Sequence, residues 1–159
     1  MEAIILVGGL GTRLRPLTHT IPKPLLPLAN VPMVERMIEN LPETFDTAIL
    51  AVNYGLNEME KYFDGKDIGK KIVIVPEEEP LGTGGAMRNC FDHITGTTAV
   101  FNGDVVSSIN LEKMLKQHIK NEKAGSRRGE LRRGRGLKNV SCLSKGCTSA
   151  KGTFDGRIP

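Results

Sequence analysis

Tryptophan is absent from these 159 residues, and only two tyrosines and five phenylalanines are present. No apolar run approaches the roughly 20 residues of a membrane-spanning helix, so a membrane partner is not expected. The opening MEAIILVGGL carries an acidic residue and no basic flank, so no secretory signal is expected there. Three cysteines, Cys90, Cys142 and Cys147, are an odd number without dense spacing. That excludes a disulfide framework and fits reduced thiols in a cytoplasmic protein. Cys142 and Cys147 have no second ligand pair, and His19, His93 and His118 share no metal-ligand spacing, so zinc is not expected. Two phosphate-binding fingerprints are missing as well. No G-x-x-x-x-G-K-[ST] occurs, and G-x-G-x-x-G would need its last glycine where Leu14 stands. What remains is a chain of one domain's length with the apolar and charged fractions of a soluble globular protein.

The charge is unevenly spread. Residues 1–125 hold 13 Lys/Arg against 16 Asp/Glu, whereas residues 126–159 hold 9 against 2. The formal net charge of +4 therefore comes entirely from the last fifth of the chain.

Up to residue 125 short apolar runs alternate with helical patterns. AIILVGG (3–9), TAILAVNY (47–54), KIVIVPE (71–77) and TTAVFNGD (97–104) read as buried strands. VPMVERMIENL (31–41), LNEMEKYF (56–63), GTGGAMRNCFDHI (82–94) and NLEKMLKQHIKNEKA (110–124) read as helices, the last capped by Asn110. Alternation of this kind predicts an α/β fold with a Rossmann-like, mostly parallel sheet and flanking helices. Ligands in such sheets bind beyond the carboxyl ends of the strands. The glycine-rich segment follows the first strand and Asn-Gly-Asp closes the fourth, so both signals fall on one edge.

GGLGTRLRPLTHTIPKPL, residues 8–25, holds three glycines, three prolines, two arginines and a lysine. Glycines after a strand let backbone N–H groups approach phosphate oxygens. Lys23 lies between Pro22 and Pro24, which fix the local backbone. Arg13 follows Gly11 by two residues, and Arg15 is as readily a solvated charge. Cations held beside a phosphate-admitting loop point to an anionic ligand.

With its continuation LPLANVPM, this stretch resembles the opening signature of the sugar-1-phosphate nucleotidyltransferases. EEEPLGTGGAM (77–87) and FNGDVVSSINL (101–111) agree with that family in the same order. The resemblance covers about residues 1–125, the nucleotide-binding part of such a domain. It implies that a sugar 1-phosphate oxygen attacks the α-phosphorus of a nucleoside triphosphate and pyrophosphate leaves. The nucleophile is already ionised, its second pKa being about 6, so no catalytic His, Cys or Ser is required. The resemblance makes Arg13 and Lys23 the catalytic cations and Asp104 the ligand of Mg²⁺, although an aspartate after glycine is by itself an ordinary turn residue. It assigns the nucleotide to Leu6, Gly8, Gly9, Gly11, Thr12, Arg13, Gly82, Thr83 and Gly85. Thr83 also stands where a helix cap would. The Glu-rich form of EEEPLGTGGA is more similar to mannose-1-phosphate guanylyltransferases than to thymidylyltransferases. It implies GTP and mannose 1-phosphate giving GDP-mannose, with a thymidylyl- or uridylyltransferase as the alternative. A homo-oligomer is left open.

Residues 126–159 show neither period, and no further strand is read there. The stretch is read as a basic Arg/Gly/Ser-rich tail, the product of a frame change or truncation. Two alternatives are a nucleic-acid-binding appendage and a non-catalytic regulatory homologue. Arg127, Arg128, Arg132, Arg133 and Arg135 could engage phosphates, but no aromatics are interleaved with them, so nucleic acid is not the expected partner.

Overall fold

The structure, a computed structural model, describes residues 1–105, 110–123, 132–133 and 140–143, the last three residues of 110–123 and both short pieces by backbone path alone. Along the chain come β1 (Glu2–Leu6), single 3-10 turns over Thr12–Leu14, Leu17–His19 and Lys23–Leu25, the short strands β2 (Pro27–Leu28) and β3 (Val31–Pro32), and α1 (Met33–Glu39). Then follow β4 (Thr47–Val52), α2 (Leu56–Phe63), β5 (Lys71–Pro76), α3 (Gly82–Asn89), a 3-10 turn over Phe91–His93, β6 (Thr98–Asn102), α4 (Leu111–Lys123), β7 (Arg132–Arg133) and β8 (Val140–Leu143).

The main sheet has the order β5-β4-β1-β6-β8-β7. β1 runs parallel to β4 on one side and to β6 on the other, with Ile4 opposite both Ile49 and Val100. β5 continues the parallel set beyond β4. The sheet is therefore mostly parallel and Rossmann-like, as the alternating pattern predicts.

Successive residues of the central strands serve opposite faces. Ala3, Ile5, Leu50 and Val52 pack with Val34, Ile38, Met59 and Phe63, on the side of α1 and α2. Leu111 and Met114 of α4 join that side. Ile4, Ile49, Ala51 and Val100 pack with Ala86, Met87 and Cys90 of α3 on the other. Strands buried on both faces need the continuous apolar runs that the sequence shows. Each of the fully buried Ile4, Ile5, Ile49 and Leu50 stabilises the fold by about 1.5–3 kcal/mol.

Two boundaries differ from the sequence reading. The helix expected from residue 31 starts at Met33, because Val31 and Pro32 pair with Leu28 and Pro27 in a tight hairpin. Ala29 and Asn30 both have positive φ, as a two-residue type I′ turn demands, and Arg36 Nη2 donates to Leu28 O at 2.9 Å. The helix expected over 82–94 ends at Asn89 and continues as a 3-10 turn. The Asn110 cap is present: its Oδ1 accepts from Lys113 N at 2.8 Å.

Most of the expected tail lies outside the described residues, Cys147 included. Two pieces correct the reading that no strand follows residue 125. β8 pairs antiparallel with β6, and β7 with β8. Val-Ser-Cys-Leu is too short to show a period, yet the buried strand β6 has a second ladder edge whose polar groups need partners.

One buried carboxylate ties the helices together. Glu35 of α1 accepts hydrogen bonds from Tyr62 OH of α2 and from Lys66 Nζ, the latter at 2.7 Å. Lys66 Nζ also lies 4.2 Å from the Tyr62 ring centroid. Burial alone would raise the Glu35 pKa, but Lys66 and Tyr62 together hold it below its ordinary value.

Candidate functional site

At the carboxyl end of the sheet the chain leaves β1 through Val7 and Gly8. A Cβ at Gly8 would lie 3.0 Å from Asn53 Cβ, so a larger residue would push the two strand exits apart by a few tenths of an ångström. Gly9 has nothing within 4 Å of its would-be Cβ, and neither has Gly82 at the start of α3. Open space on these two glycines borders a cleft of about 240 Å³. Leu6, Gly8, Gly9, Gly82 and Thr83 line it, with Asn53, Glu77 and Asn102. The volume is below the roughly 300–1,000 Å³ of a site for a drug-sized ligand, so the cleft by itself has room for only part of one.

The first loop then returns to build a second feature beside the cleft. Gly11 has φ +62°, and its would-be Cβ would lie 2.8 Å from Thr18 Cγ2 and 3.0 Å from Lys23 Cβ. The buried Thr18 donates from Oγ1 to Gly11 O at 2.9 Å, closing the loop on itself. Pro22 and Pro24 are both buried, and Leu26 N donates to Lys23 O at 3.1 Å. Lys23 is thus fixed at its backbone from three sides. Its Nζ reaches Asp104 Oδ2 at 2.7 Å. Asp104 is carried there by Gly103, whose N–H donates to Leu6 O at 2.9 Å. A Cβ on Gly103 would sit 2.5 Å from Val7 Cγ1 and 2.7 Å from Leu6 O.

The residues singled out from sequence therefore fall into three places. Leu6, Gly8, Gly9, Gly82 and Thr83 share the cleft. Gly11, Lys23 and Asp104 form the charged corner. Thr12 and Arg13 stand exposed on the 3-10 turn between them in sequence, and Arg13 makes no ion pair among the described residues. Gly85 is not on the cleft wall: a Cβ there would meet Leu81 Cβ at 2.5 Å, so its smallness serves the first turn of α3.

Sequence reasoning missed Asn53, Glu77, Asn102 and Thr18. Three of them share a signal: each is a polar residue at the carboxyl end of a buried strand, where α/β sheets hold ligands. Thr18 acts through a contact seven positions back, which no spacing reveals. Glu77 also acts beneath the cleft. Burial, with the Glu77 charge adding to it, pushes the Cys90 thiol up to about 12, so this cysteine is an inert core group.

Among the described residues no three His, Cys, Asp or Glu side chains cluster as a metal cage. Asp104 is a half-exposed hard carboxylate at a strand end, and magnesium bound through one carboxylate, waters and substrate phosphates needs no more from the protein. The residues fit that mode. A larger groove of about 570 Å³, lined by Asn57, Glu60, Lys61, Asp64 and Ile72 among others, lies along α2 and β5. It offers one lysine among acids and none of the glycine backbone, so it is a poor seat for phosphates. No described helix is long and apolar enough to cross a membrane.

Comparison with known proteins identifies the class. Residues 2–128 match the nucleotidyl transferase family, and the chain belongs to it. It is 42% identical over 124 residues to the mannose-1-phosphate guanylyltransferase of Mycobacterium tuberculosis, covering 76% of this chain and 34% of that protein. It is 41% identical over 115 residues to the D-glycero-alpha-D-manno-heptose 1-phosphate guanylyltransferase of Campylobacter jejuni, covering 72% and 52%. The chain thus spans a third to a half of the length of these relatives. Among solved structures, HddC from Yersinia pseudotuberculosis superposes with a TM-score of 0.65 at 27% identity, over 91% of this chain and 69% of that one. A putative glucose-1-phosphate thymidylyltransferase from Bacillus anthracis shares the fold, with a TM-score of 0.69 at 20% identity over 92% and 69%.

Proposed function

We propose that these residues form the nucleotide-holding part of a sugar-1-phosphate guanylyltransferase, taking GTP and mannose 1-phosphate to GDP-mannose and pyrophosphate. The observation that carries the reading is the Lys23–Asp104 contact at 2.7 Å, set beside a glycine-walled cleft at the sheet's carboxyl edge. The two guanylyltransferase relatives support the base and a sugar of manno type.

In this reading the cleft takes guanine and ribose, and the triphosphate runs toward the charged corner. A phosphate oxygen of the sugar 1-phosphate forms the new bond to the α-phosphorus. The bond from that phosphorus to the β-bridging oxygen breaks, and the electron pair leaves with pyrophosphate. Two anions must be brought together, and charge grows on the leaving group. Arg13 is free to swing onto the triphosphate. Lys23 is already anchored, and it exchanges Asp104 for phosphate oxygens with little side-chain ordering left to do. Asp104 would then be the carboxylate that holds Mg²⁺, which when bound would neutralise phosphate charge. Cytoplasmic residence accompanies this assignment.

Titration with GTP in the presence of Mg²⁺, followed by calorimetry, tests it. Arg13→Ala and Lys23→Ala should each weaken binding about 10- to 100-fold, the value of charge-assisted hydrogen bonds. Affinity for GTP unchanged in both variants would overturn the reading.

A further inference from the structure

β5 ends the sheet on its side, paired with β4 alone among the described residues. Its outer side presents a defined set of backbone groups. Lys71 N donates to Asp46 O and Glu77 N to Val52 O, so residues 71, 73, 75 and 77 turn their backbone groups toward β4. The direction alternates along a strand, so Ile72, Ile74 and Pro76 turn theirs outward. Pro76 has no N–H, and its carbonyl already accepts from Asn89 Nδ2 at 2.9 Å. The open groups are thus the N–H and C=O of Ile72 and of Ile74, which no hydrogen bond among the described residues reaches. Exposed edges are usually blunted by lysine, proline or a bulge. Here Lys71 and Pro76 guard only the ends, and Ile72, Val73 and Ile74 between them are apolar and half-buried.

We propose that β5 is a self-pairing edge, to which a second copy of this chain adds its own β5, antiparallel about a two-fold axis at Val73. That register sets Ile72 of each copy opposite Ile74 of the other, and each such pair exchanges both of its bonds. The two open donors and two open acceptors of each copy are then used completely, in four hydrogen bonds. An axis at Ile74 would instead set Ile72 opposite Pro76 and lose a donor twice. Residues directly opposite share a face of the sheet. The second copy's Ile72 and Ile74 therefore enter the groove of about 570 Å³ that Ile72 and Ile74 line with Asn57, Glu60, Lys61 and Asp64 of α2 and its end. Glu60, Lys61 and Asp64 put both charge signs on that groove, as a surface that meets its own copy requires. Lys71 falls opposite Val75 of the other copy, so no two lysines are forced together on the strand. One strand pair and one groove are small beside a standard interface, so dissociation constants of about 10–100 µM are expected.

Sedimentation velocity of the full chain over a concentration series that brackets this range tests the proposal. The mass should rise from 17.3 kDa toward twice that value. Val73 meets its own copy at a non-hydrogen-bonded position, where side chains lie closest. Val73→Lys and Val73→Glu should each weaken dimerisation by about tenfold or more, through like charges on the axis. An equimolar mixture of the two variants should restore it, because opposite charges then meet there. Val73→Cys is the smallest of the changes, and mild oxidation should join position 73 of the two copies in a disulfide located by mass spectrometry. That link decides the question if the charged variants do not fold. Dimerisation indifferent to both charges, a mixture no better than its components, or no link at position 73 overturns the proposal. A chain that stays at 17.3 kDa throughout also overturns it and leaves the edge to a different strand or to none.

Discussion

Lys23 and Asp104 are 81 residues apart in the chain and 2.7 Å apart in space. The pair joins the first loop to the end of β6, and it is the point where the sheet's two chemical signals meet. Its two halves are unequally exposed, Lys23 at 21% and Asp104 at 45%. An ion pair this open contributes about 0–1 kcal/mol to stability. Its value is the fixed position of the lysine.

Replacing Asp104 separates position from charge. Asp104→Asn should leave the melting temperature nearly unchanged. Without metal, it should bind GTP at least as tightly as the unmodified chain, because a repelling carboxylate is gone. Addition of Mg²⁺ should strengthen binding in the unmodified chain far more than in the variant. Titrations with EDTA and with Mg²⁺ measure both. Equal metal dependence in the two proteins would remove Asp104 from the metal's coordination.

Gly9 and Gly11 should respond oppositely to alanine. Gly11 has φ +62° and is hemmed in by Thr18 and Lys23, so Gly11→Ala should cost about 1–3 kcal/mol in chemical denaturation. Gly9 faces open space, and Gly9→Ala should change stability by less than about 0.5 kcal/mol. Its methyl group would instead intrude on the ligand, so the loss should appear in GTP affinity. A stable Gly11→Ala protein would contradict the loop geometry described above.

Gly103 carries a similar constraint through backbone. A Cβ there would press on Val7 Cγ1 at 2.5 Å and on Leu6 O at 2.7 Å, and the carbonyl oxygen cannot yield without moving β1. Gly103→Ala should cost about 2 kcal/mol or more, with the strain acting at the central strand of the sheet. Equilibrium urea unfolding measures it.

The Glu35–Tyr62–Lys66 cluster makes stability depend on pH. The folded state lowers the Glu35 pKa, so its contribution is fully present above the unfolded value near 4.5 and is lost as pH falls through the folded one. Lys66 is raised by its hydrogen bonds to Glu35 and Tyr62, so its contribution is present below 10.5 and lost as pH rises beyond that. Glu35→Gln should lower stability at pH 7 by about 1–3 kcal/mol and flatten the acid limb. Denaturation midpoints between pH 3 and pH 7 check this, and an unchanged slope in the variant would contradict it.

Much of the architecture was legible because it rests on local pattern. β1, β4 and β6 are apolar runs buried on both faces, β5 is a half-buried apolar run at the sheet edge, and the helices between them show their periods or caps. The short hairpin at 27–32 was not, since Val31 and Pro32 read as the start of a helix whose real first turn begins at Met33. Val140–Leu143 escaped because four residues carry no period and their ladder is supplied by β6. At the site, Arg13 and Lys23 stand out by charge amid glycine and proline, whereas Asp104 reads by itself as a turn residue and is singled out only by the resemblance. Asn53, Glu77 and Asn102 do not, because their relevance comes from strand order rather than from neighbours in sequence. Glu35 is the extreme case: a helix-start acid in sequence, and a buried tie to α2 in space.

The most direct measurement is amide chemical-shift mapping by NMR of the full chain titrated with GTP and Mg²⁺. Binding at the carboxyl edge should move the amides of Leu6, Gly8, Gly9, Lys23, Gly82 and Thr83 together along one saturation curve. Shifts confined to the groove around Asn57, Glu60 and Ile72, or no saturable shift at all, would contradict the site.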